Sequence, residues 1–403
     1  MLAVVLAVSV MIVRQFLHWL RTAPSGERAE ATSALARAFL YSDLTENDRA
    51  AAEGAMIMLL DDPSPLVRRA LAEVFAGCDN APPTVVHALA NDQPDVAEPI
   101  LQRSPLLLDA DLVEAVASGE AERQIAIASR AQLPCSVSAA IAEVGSAEAC
   151  LVLLENEAAE TVAFSLDRIV QRFGHLAAIR DAILSRDDLP APTRQALVVK
   201  LSQTLAEFVT SREWLAGDRA RRITREACEK ATIALAAESQ EDEVRPLVRH
   251  LRQSGQLTAG LILRSLLSGN VELFEEALAD LAQVPLTRVV GIVHDRRGAG
   301  FRALYDKAGL PASTFPAFRE ALEAMREDGF MFEPGSASRL KRRIIERTLT
   351  RCESEAPDEI EPLLTLLRRY AAEAAREEAR LFCDELVSEG RLAADPDLRP
   401  VAA

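Results

Sequence analysis

Residues 61–77 read DDPSPLVRRALAEVFAG, and this stretch decides the fold. Ser64 occupies a helix N-cap position. Pro65 follows at the first helical position, where the missing N–H costs nothing because an N–H there has no partner within the helix. A buried face is predicted for the apolar residues at helical spacing, which are Leu66, Ala70, Leu71 and Val74. The segment therefore predicts an amphipathic helix that begins after an acidic turn and ends near Gly77.

The same layout returns twice, in LANDQPDVAEPIL at residues 89–101 and in VASGEAERQIAI at residues 116–127. Leu71 corresponds to Ile100, 29 residues later, and to Ile127, a further 27 residues on. Three other positions align in the same way. Leu60 corresponds to Leu89 and Val116, Pro65 to Pro94, and Val67 to Val96. A helix pair of this length cannot bury its apolar stripe alone, so successive pairs must stack.

The first copy resembles the second helix of HEAT-repeat proteins, through an acidic turn, a proline and then Val67-Arg68-Arg69-Ala70-Leu71-Ala72. Later copies depart from the motif, because Ala97 and Gln124 stand where it has a basic residue. The resemblance implies a HEAT-like α-solenoid, an all-α fold of stacked helix pairs.

The chain from Met11 to Leu386 also resembles an uncharacterised alphaproteobacterial family with HEAT-like repeats. The resemblance lies in RTAPSGERAEATSALARAFLYSDL at residues 21–44 and HDRRGAGFRALYDKAGLP at residues 294–311. This resemblance implies the fold and the cellular compartment of the protein, and it implies no activity.

Five segments are expected along the chain. They are an apolar N-terminal segment at 1–13, HEAT-like repeats at 14–215, a second helical region at 218–330, a C-terminal helix pair at 336–390 and a disordered tail at 391–403. A long final helix is expected at 357–388, as a C-terminal extension that caps the stack or packs on a partner.

Residues 2–13 are apolar apart from Ser9, but Arg14 ends the run well short of the roughly 20 residues of a membrane span. Because Met11 is a second possible start, the first ten residues are interpreted as a start-site artefact or an apolar helix extension. A packed helix and a signal anchor are the alternatives.

The composition restricts the classes of function. Aromatic residues make up 4% of the 403 residues and apolar residues 49%, which favours helices packed through Leu, Ala, Val and Ile. A net charge of -16 disfavours nucleic acid as a partner. The six cysteines form no C-x-x-C, so neither a zinc ribbon nor a disulfide framework is indicated, and a reducing cytoplasm fits them.

The sequence contains no recognisable catalytic, cofactor-binding or metal-binding motif. The five histidines form no H-E-x-x-H, and the glycines form neither a P-loop nor a dinucleotide fingerprint. Asp61 and Asp62 are interpreted as turn and helix-dipole residues. Two basic runs are interpreted as solvated helix faces: Arg219, Arg221, Arg222 and Arg225, and Arg339, Lys341, Arg342, Arg343 and Arg347.

The least ordinary local feature is residues 294–302, HDRRGAGFR. Arg296, Arg297 and Arg302 are predicted to contact an anion or an acidic partner beside the start of the next helix. The structural alternative is a tight turn between helices whose arginines pair with nearby carboxylates.

These observations predict a non-catalytic scaffold or regulatory adaptor of the cytoplasm, without a cofactor, which binds an unidentified protein through an α-solenoid surface. One alternative is a HEAT-like enzyme of the lyase or DNA glycosylase type. It would need a basic groove or a buried cluster of ionisable groups, and the sequence indicates neither. The second alternative is a nucleic-acid binder that uses the arginine runs. A membrane is also disfavoured as a partner.

Overall fold

The computed structural model describes residue 19 and residues 22–186, 188–295, 298, 300–328, 337–355 and 361–394. This part of the chain is all-α, with 21 α-helices, one short 3-10 helix and no β-strand. The predicted fold class is therefore confirmed. The chain divides into two compact units, residues 1–189 and residues 190–403.

The first unit is built from short helices. They are α1 (Ser25–Tyr41), α2 (Glu46–Leu59), α3 (Pro65–Phe75), α4 (Pro83–Ala90), α5 (Pro94–Arg103), α6 (Asp109–Ala117), α7 (Ala121–Ala128), α8 (Cys135–Val144), α9 (Ala147–Glu155), α10 (Ala163–Phe173) and α11 (Ala177–Leu184). The odd-numbered helices form one layer, in which each packs on the next from α1 to α11. In the other layer α6 packs on α8 and α8 on α10. Helix pairs are therefore stacked in sequence order within this unit, as expected for a helical solenoid.

The repeat positions identified in the sequence form the core of the first unit. Full burial is found at Val67, Leu71, Leu89, Val96, Ile100, Val116 and Ile127. The face predicted for α3 was partly wrong, because Leu66 is 59% exposed while Phe75 is fully buried. Since α3 packs between α1 and α5, the face that contacts both neighbours is Val67, Leu71, Ala72 and Phe75.

Asp62, and not Ser64, supports the start of α3. The Ser64 side chain makes no capping hydrogen bond, whereas the Asp62 carboxylate accepts the Ser64 N–H at 2.8 Å. The Asp62 carboxylate also accepts hydrogen bonds from Nε and Nη2 of Arg28, at 2.9 and 2.8 Å. Partial burial would raise the pKa of Asp62, but the hydrogen bonds from Arg28 and Ser64 outweigh it and lower that pKa.

A second type of contact joins successive repeats through helix ends. Arg130, Asn156 and Arg172 each donate to two backbone carbonyls that lie 26 to 30 residues earlier. Arg130 donates to the carbonyls of Leu101 and Ser104, Asn156 to those of Ala128 and Arg130, and Arg172 to those of Ala142 and Gly145. Because the last carbonyls of a helix have no partner within it, these side chains satisfy groups that would otherwise be left unpaired.

The second unit begins with two long helices, α12 (Ala191–Ser211) and α13 (Gly217–Glu238). Its other helices are α14 (Glu241–Gln253), α15 (Ala259–Leu267), α16 (Val271–Ala282), α17 (Leu286–Val293), α18 (Phe301–Lys307), α19 (Phe315–Asp328), α20 (Ala337–Glu355) and α21 (Glu361–Ala394), with a 3-10 helix at Ala312–Thr314. Helices α15 and α16 lie at the centre of its core, and α20 packs against α21.

Helical periodicity in the sequence predicts helices at 241–253 and 271–282, and the structure has helices at these bounds. Helix α18, whose Phe301 and Tyr305 are buried, begins directly after the glycine-containing turn. The expected boundary at 215–218 falls between α12 and α13, which pack along each other inside the second unit.

We expect Leu71→Ala to lower the free energy of unfolding of the first unit by about 2 to 5 kcal/mol, since it leaves a cavity among fully buried side chains. Leu66→Ala, in the same helix, should cost under about 0.5 kcal/mol because Leu66 is exposed. Urea denaturation followed by circular dichroism measures both. Equal losses would contradict the helix phase described above.

Adjacent arginines of α3 provide a matched test of the ionic contacts. Arg68 is 14% exposed, pairs with Asp92 and donates to the Asp62 carbonyl, whereas Arg69 is 38% exposed and contacts exposed glutamates. Arg68→Ala should therefore destabilise by about 1 to 3 kcal/mol, and Arg69→Ala by under about 0.5 kcal/mol. A loss for Arg68→Ala as small as that expected for Arg69→Ala would mean that the Arg68 contacts do not support the stack.

Candidate functional site

Helices α12 and α13 form a long antiparallel hairpin whose base is fixed to α14. Gln195 contacts His250 at 3.1 Å and donates to Gln256 at 2.6 Å, and Arg194 pairs with Glu243 at 3.1 Å. Farther along α12 the contact with the core of the unit stops, because no residue from 198 to 219 is buried. The far part of the hairpin therefore stands clear of the core of its own unit.

An apolar stripe runs along this far part. Leu201, Leu205 and Phe208 follow one another at steps of four and three residues, so they share one face of α12, and they are 40 to 54% exposed. At the turn, Trp214 is 68% exposed and meets the Phe208 ring edge to face at 5.7 Å. Two large aromatic rings are thus held together at the surface.

The first turns of α13, which follow the hairpin turn, add positive charge. Arg219 and Arg222 are exposed, and neither forms an ion pair within the part of the chain that the structure describes. Arg221, between them, pairs with Asp218. We call one set of residues the hairpin surface: Leu201, Leu205, Phe208, Trp214, Arg219, Arg222 and Ile223.

The seam between the two helices is a separate feature. It holds a groove of about 810 Å³ whose lining includes Gln203, Glu207, Thr210, Arg221, Thr224 and Arg225. This lining mixes polar side chains with apolar ones such as Val199 and Ala206, and it uses positions of α12 other than the apolar stripe. The hairpin therefore has an exposed apolar stripe, exposed arginines and a distinct groove.

A cleft of about 560 Å³ lies elsewhere in the second unit, between α13, α15, α20 and α21. Arg264 is its most buried charge, with a side chain 8% exposed. Its guanidinium lies over the Tyr370 ring at 4.3 Å, pairs with Glu373 at 3.0 Å and is 3.7 Å from Glu229. Lys341 pairs with Glu377 at 3.0 Å at the same cleft.

The environment of this cluster shifts the pKa values of its acids. Burial raises the pKa of Glu229, and Arg264 only partly opposes that shift. Burial also raises the pKa of Tyr370. Burial would raise the pKa of Glu377 as well, but Lys341 outweighs it and lowers that pKa. The sequence indicated no buried cluster of ionisable groups, and the structure corrects that expectation by showing one around Arg264.

The predicted anion contact is only partly within view, because Arg296 and Arg297 lie outside the described residues. Arg302 pairs with Asp306 at 2.9 Å and lies over the Phe315 ring at 4.4 Å. The carbonyl of Val293, at the end of α17, accepts a 2.7 Å hydrogen bond from Arg326. Arg302 is therefore engaged within the protein, and the anion contact stays a prediction.

One basic run differs from its interpretation as a solvated face. Lys341 and Arg342 reach α21, where they pair with Glu377 and Glu378. The run thus helps to hold the last helix in place. Charge alone could not reveal this role, because the partner carboxylates lie 36 residues away in sequence.

The apolar part of the hairpin surface was missed by sequence reasoning, whereas the arginines of residues 219–225, interpreted as a solvated helix face, are exposed. Residues 201, 205 and 208 have the spacing of a buried helix face, so their pattern gives no sign of exposure. No group of three or more potential metal ligands occurs among the described residues. None of the helices in the described ranges has both the length and the apolar character needed to cross a bilayer.

Comparison with known protein families identifies a match. The sequence model of a family described as "Uncharacterised protein conserved in bacteria (DUF2336)" matches residues 96–358, more than half of the chain. No curated protein and no solved structure matches the chain.

The buried cluster generates a pH-dependent prediction. Because burial raises the pKa of Glu229 above its unfolded value of about 4.3, the stability it contributes is present below that pH and lost as the pH rises through the folded pKa. The unfolding free energy of the native chain minus that of Glu229→Gln should therefore fall as the pH rises from about 4 to about 7.

Urea denaturation at several pH values measures this difference. The control is Glu238→Gln, which removes an exposed carboxylate from the same helix and measures the effect of losing one charge on the free energy of unfolding. A difference for Glu229→Gln that stays constant or grows with pH would contradict the raised pKa.

Proposed function

Because this chain belongs to the DUF2336 family of bacterial proteins, whose description states no activity, we propose its function from its own surfaces: it is a non-catalytic adaptor that binds other proteins. The hairpin surface is the observation that carries this proposal. Exposed Phe208 and Trp214, with exposed Arg219 and Arg222 on the next helix, are residue types enriched in protein interfaces, where Trp and Arg often supply much of the binding energy.

The architecture supports the same function. The stacked helix pairs of the first unit fit the HEAT-like repeat type proposed from the sequence, and such repeats expose long surfaces suited to docking. We place the protein in the cytoplasm, which is consistent with six cysteines that are all free thiols.

An enzyme of HEAT-like architecture is the second candidate, favoured by the buried cluster around Arg264. Within the cluster, however, Arg264 is engaged by Glu373 and Tyr370, and Lys341 by Glu377. Charges paired in this way join helices together, as structural ion-pair networks do. The adaptor function is therefore the better supported of the two.

The adaptor function is tested by site-specific cross-linking in the bacterium that encodes the chain. A photoreactive benzophenone amino acid replaces Phe208 on the hairpin surface, and in a matched control it replaces Gln203, which lines the groove on another face of the same helix. We expect one discrete protein adduct from position 208 and none from position 203.

The captured protein is then purified and its binding to the native chain measured. The double variant Leu205→Ala/Phe208→Ala should weaken that binding at least about tenfold, since few interface residues supply most of the energy. Equal adducts from both positions, or binding that the double variant leaves intact, would refute the hairpin surface as the docking site.

A further inference from the structure

The chain already binds one acidic amphipathic helix, namely its own α21. The carboxylates of Glu373, Glu377 and Glu378 pair with cations at 2.9 to 3.0 Å. Their partners are Arg264 of α15 and Lys341 and Arg342 of α20, with Lys230 of α13 at 3.5 Å from Glu373. Beside these carboxylates, Leu367, Tyr370 and Ala374 bury their side chains.

The face of α13 that meets α21 continues toward the hairpin turn. Lys230 and Glu226 contact α21, through Glu373 and Arg369 respectively. Steps of three and four residues back along the helix lead from Glu226 to Ile223, Arg222 and Arg219, so these residues share that face. Here the face is uncovered, since Ile223 is 45% exposed and both arginines are exposed.

We propose that the hairpin surface binds an acidic amphipathic helix of a partner protein. The apolar residues of that helix pack on Leu205, Phe208 and Ile223, and its carboxylates pair with Arg219 and Arg222. This inference rests on the proposed adaptor function and names the chemistry of the partner. Its basis is charge complementarity: residues 201–225 carry five arginines and three carboxylates in a chain of net charge -16.

Other occupants fit the charges less well. If two copies met through the hairpin surface, the arginines of one copy would face those of the other. The α21 carboxylates that could neutralise them are already paired within their own chain. An extended anionic surface, such as a membrane or a nucleic acid, would also repel the rest of this acidic chain. A single helix contacts only the basic surface and avoids that repulsion.

The test uses the full chain and two synthetic peptides in fluorescence anisotropy. The acidic peptide is a 20-residue helix, about the length of α12, with leucines on one face and glutamates flanking them; in the basic peptide every glutamate is lysine. We expect the native chain to bind the acidic peptide at least about tenfold more tightly than the basic one. The double variant Arg219→Glu/Arg222→Glu should reverse this preference.

Neighbouring arginines give the matched control. Arg222→Glu should weaken the acidic peptide at least about tenfold, whereas Arg221→Glu, with the same charge change at a residue that pairs with Asp218 and lines the groove, should change it less than about threefold. All these side chains are exposed, so circular dichroism should stay unchanged. Equal effects of the two substitutions, or equal binding of the two peptides, would overturn the proposal.

Separate measurements address the other occupants. A dimer in sedimentation velocity that Arg222→Glu abolishes would identify a second copy, and flotation with phosphatidylglycerol vesicles would identify a membrane; either result overturns the proposal. If position 208 cross-links a protein but the acidic peptide does not bind, the partner chemistry is wrong and the adaptor function stands. If both fail, both are wrong.

Discussion

The unpaired backbone groups at helix ends are the constraint on which the first unit depends. Its helices are short, so a large share of their carbonyls has no partner inside the helix. Arg130, Asn156 and Arg172 supply that partner from the following part of the chain. Apolar burial draws the layers together without direction, whereas these hydrogen bonds require one side chain to reach one helix end. The stack therefore owes its register to polar groups and its cohesion to Leu, Val and Ile.

The second unit uses charge differently. Its last helix, α21, buries apolar residues along its first half, and carboxylates farther along meet cations of α13, α15 and α20. Removing one member of such a buried pair would leave its partner desolvated and unpaired, so the cluster fixes which helix lies there. The hairpin of α12 and α13 extends beyond this arrangement, which leaves its aromatic rings and arginines exposed.

The sequence was most informative where local signals act. The 29- and 27-residue offsets identified core positions such as Leu71 and Ile100, because a stacked helix needs an apolar residue at each turn. It was least informative where partners are distant. The pairing of Arg28 with Asp62, and of Lys341 with Glu377, spans more than thirty residues and leaves no local pattern. Exposure of Leu205 and Phe208 was equally hidden, since an amphipathic stripe looks the same whether or not another helix covers it.

The side chains that reach back 26 to 30 residues restrict how the length of this chain can change during evolution. An insertion of two or three residues within a helix would rotate the reaching side chain away from its helix end and leave carbonyls unpaired. Gain or loss of one whole repeat would instead present each arginine or asparagine with an equivalent helix end. Length variation among relatives is therefore expected in steps of a full helix pair, with smaller changes confined to exposed turns.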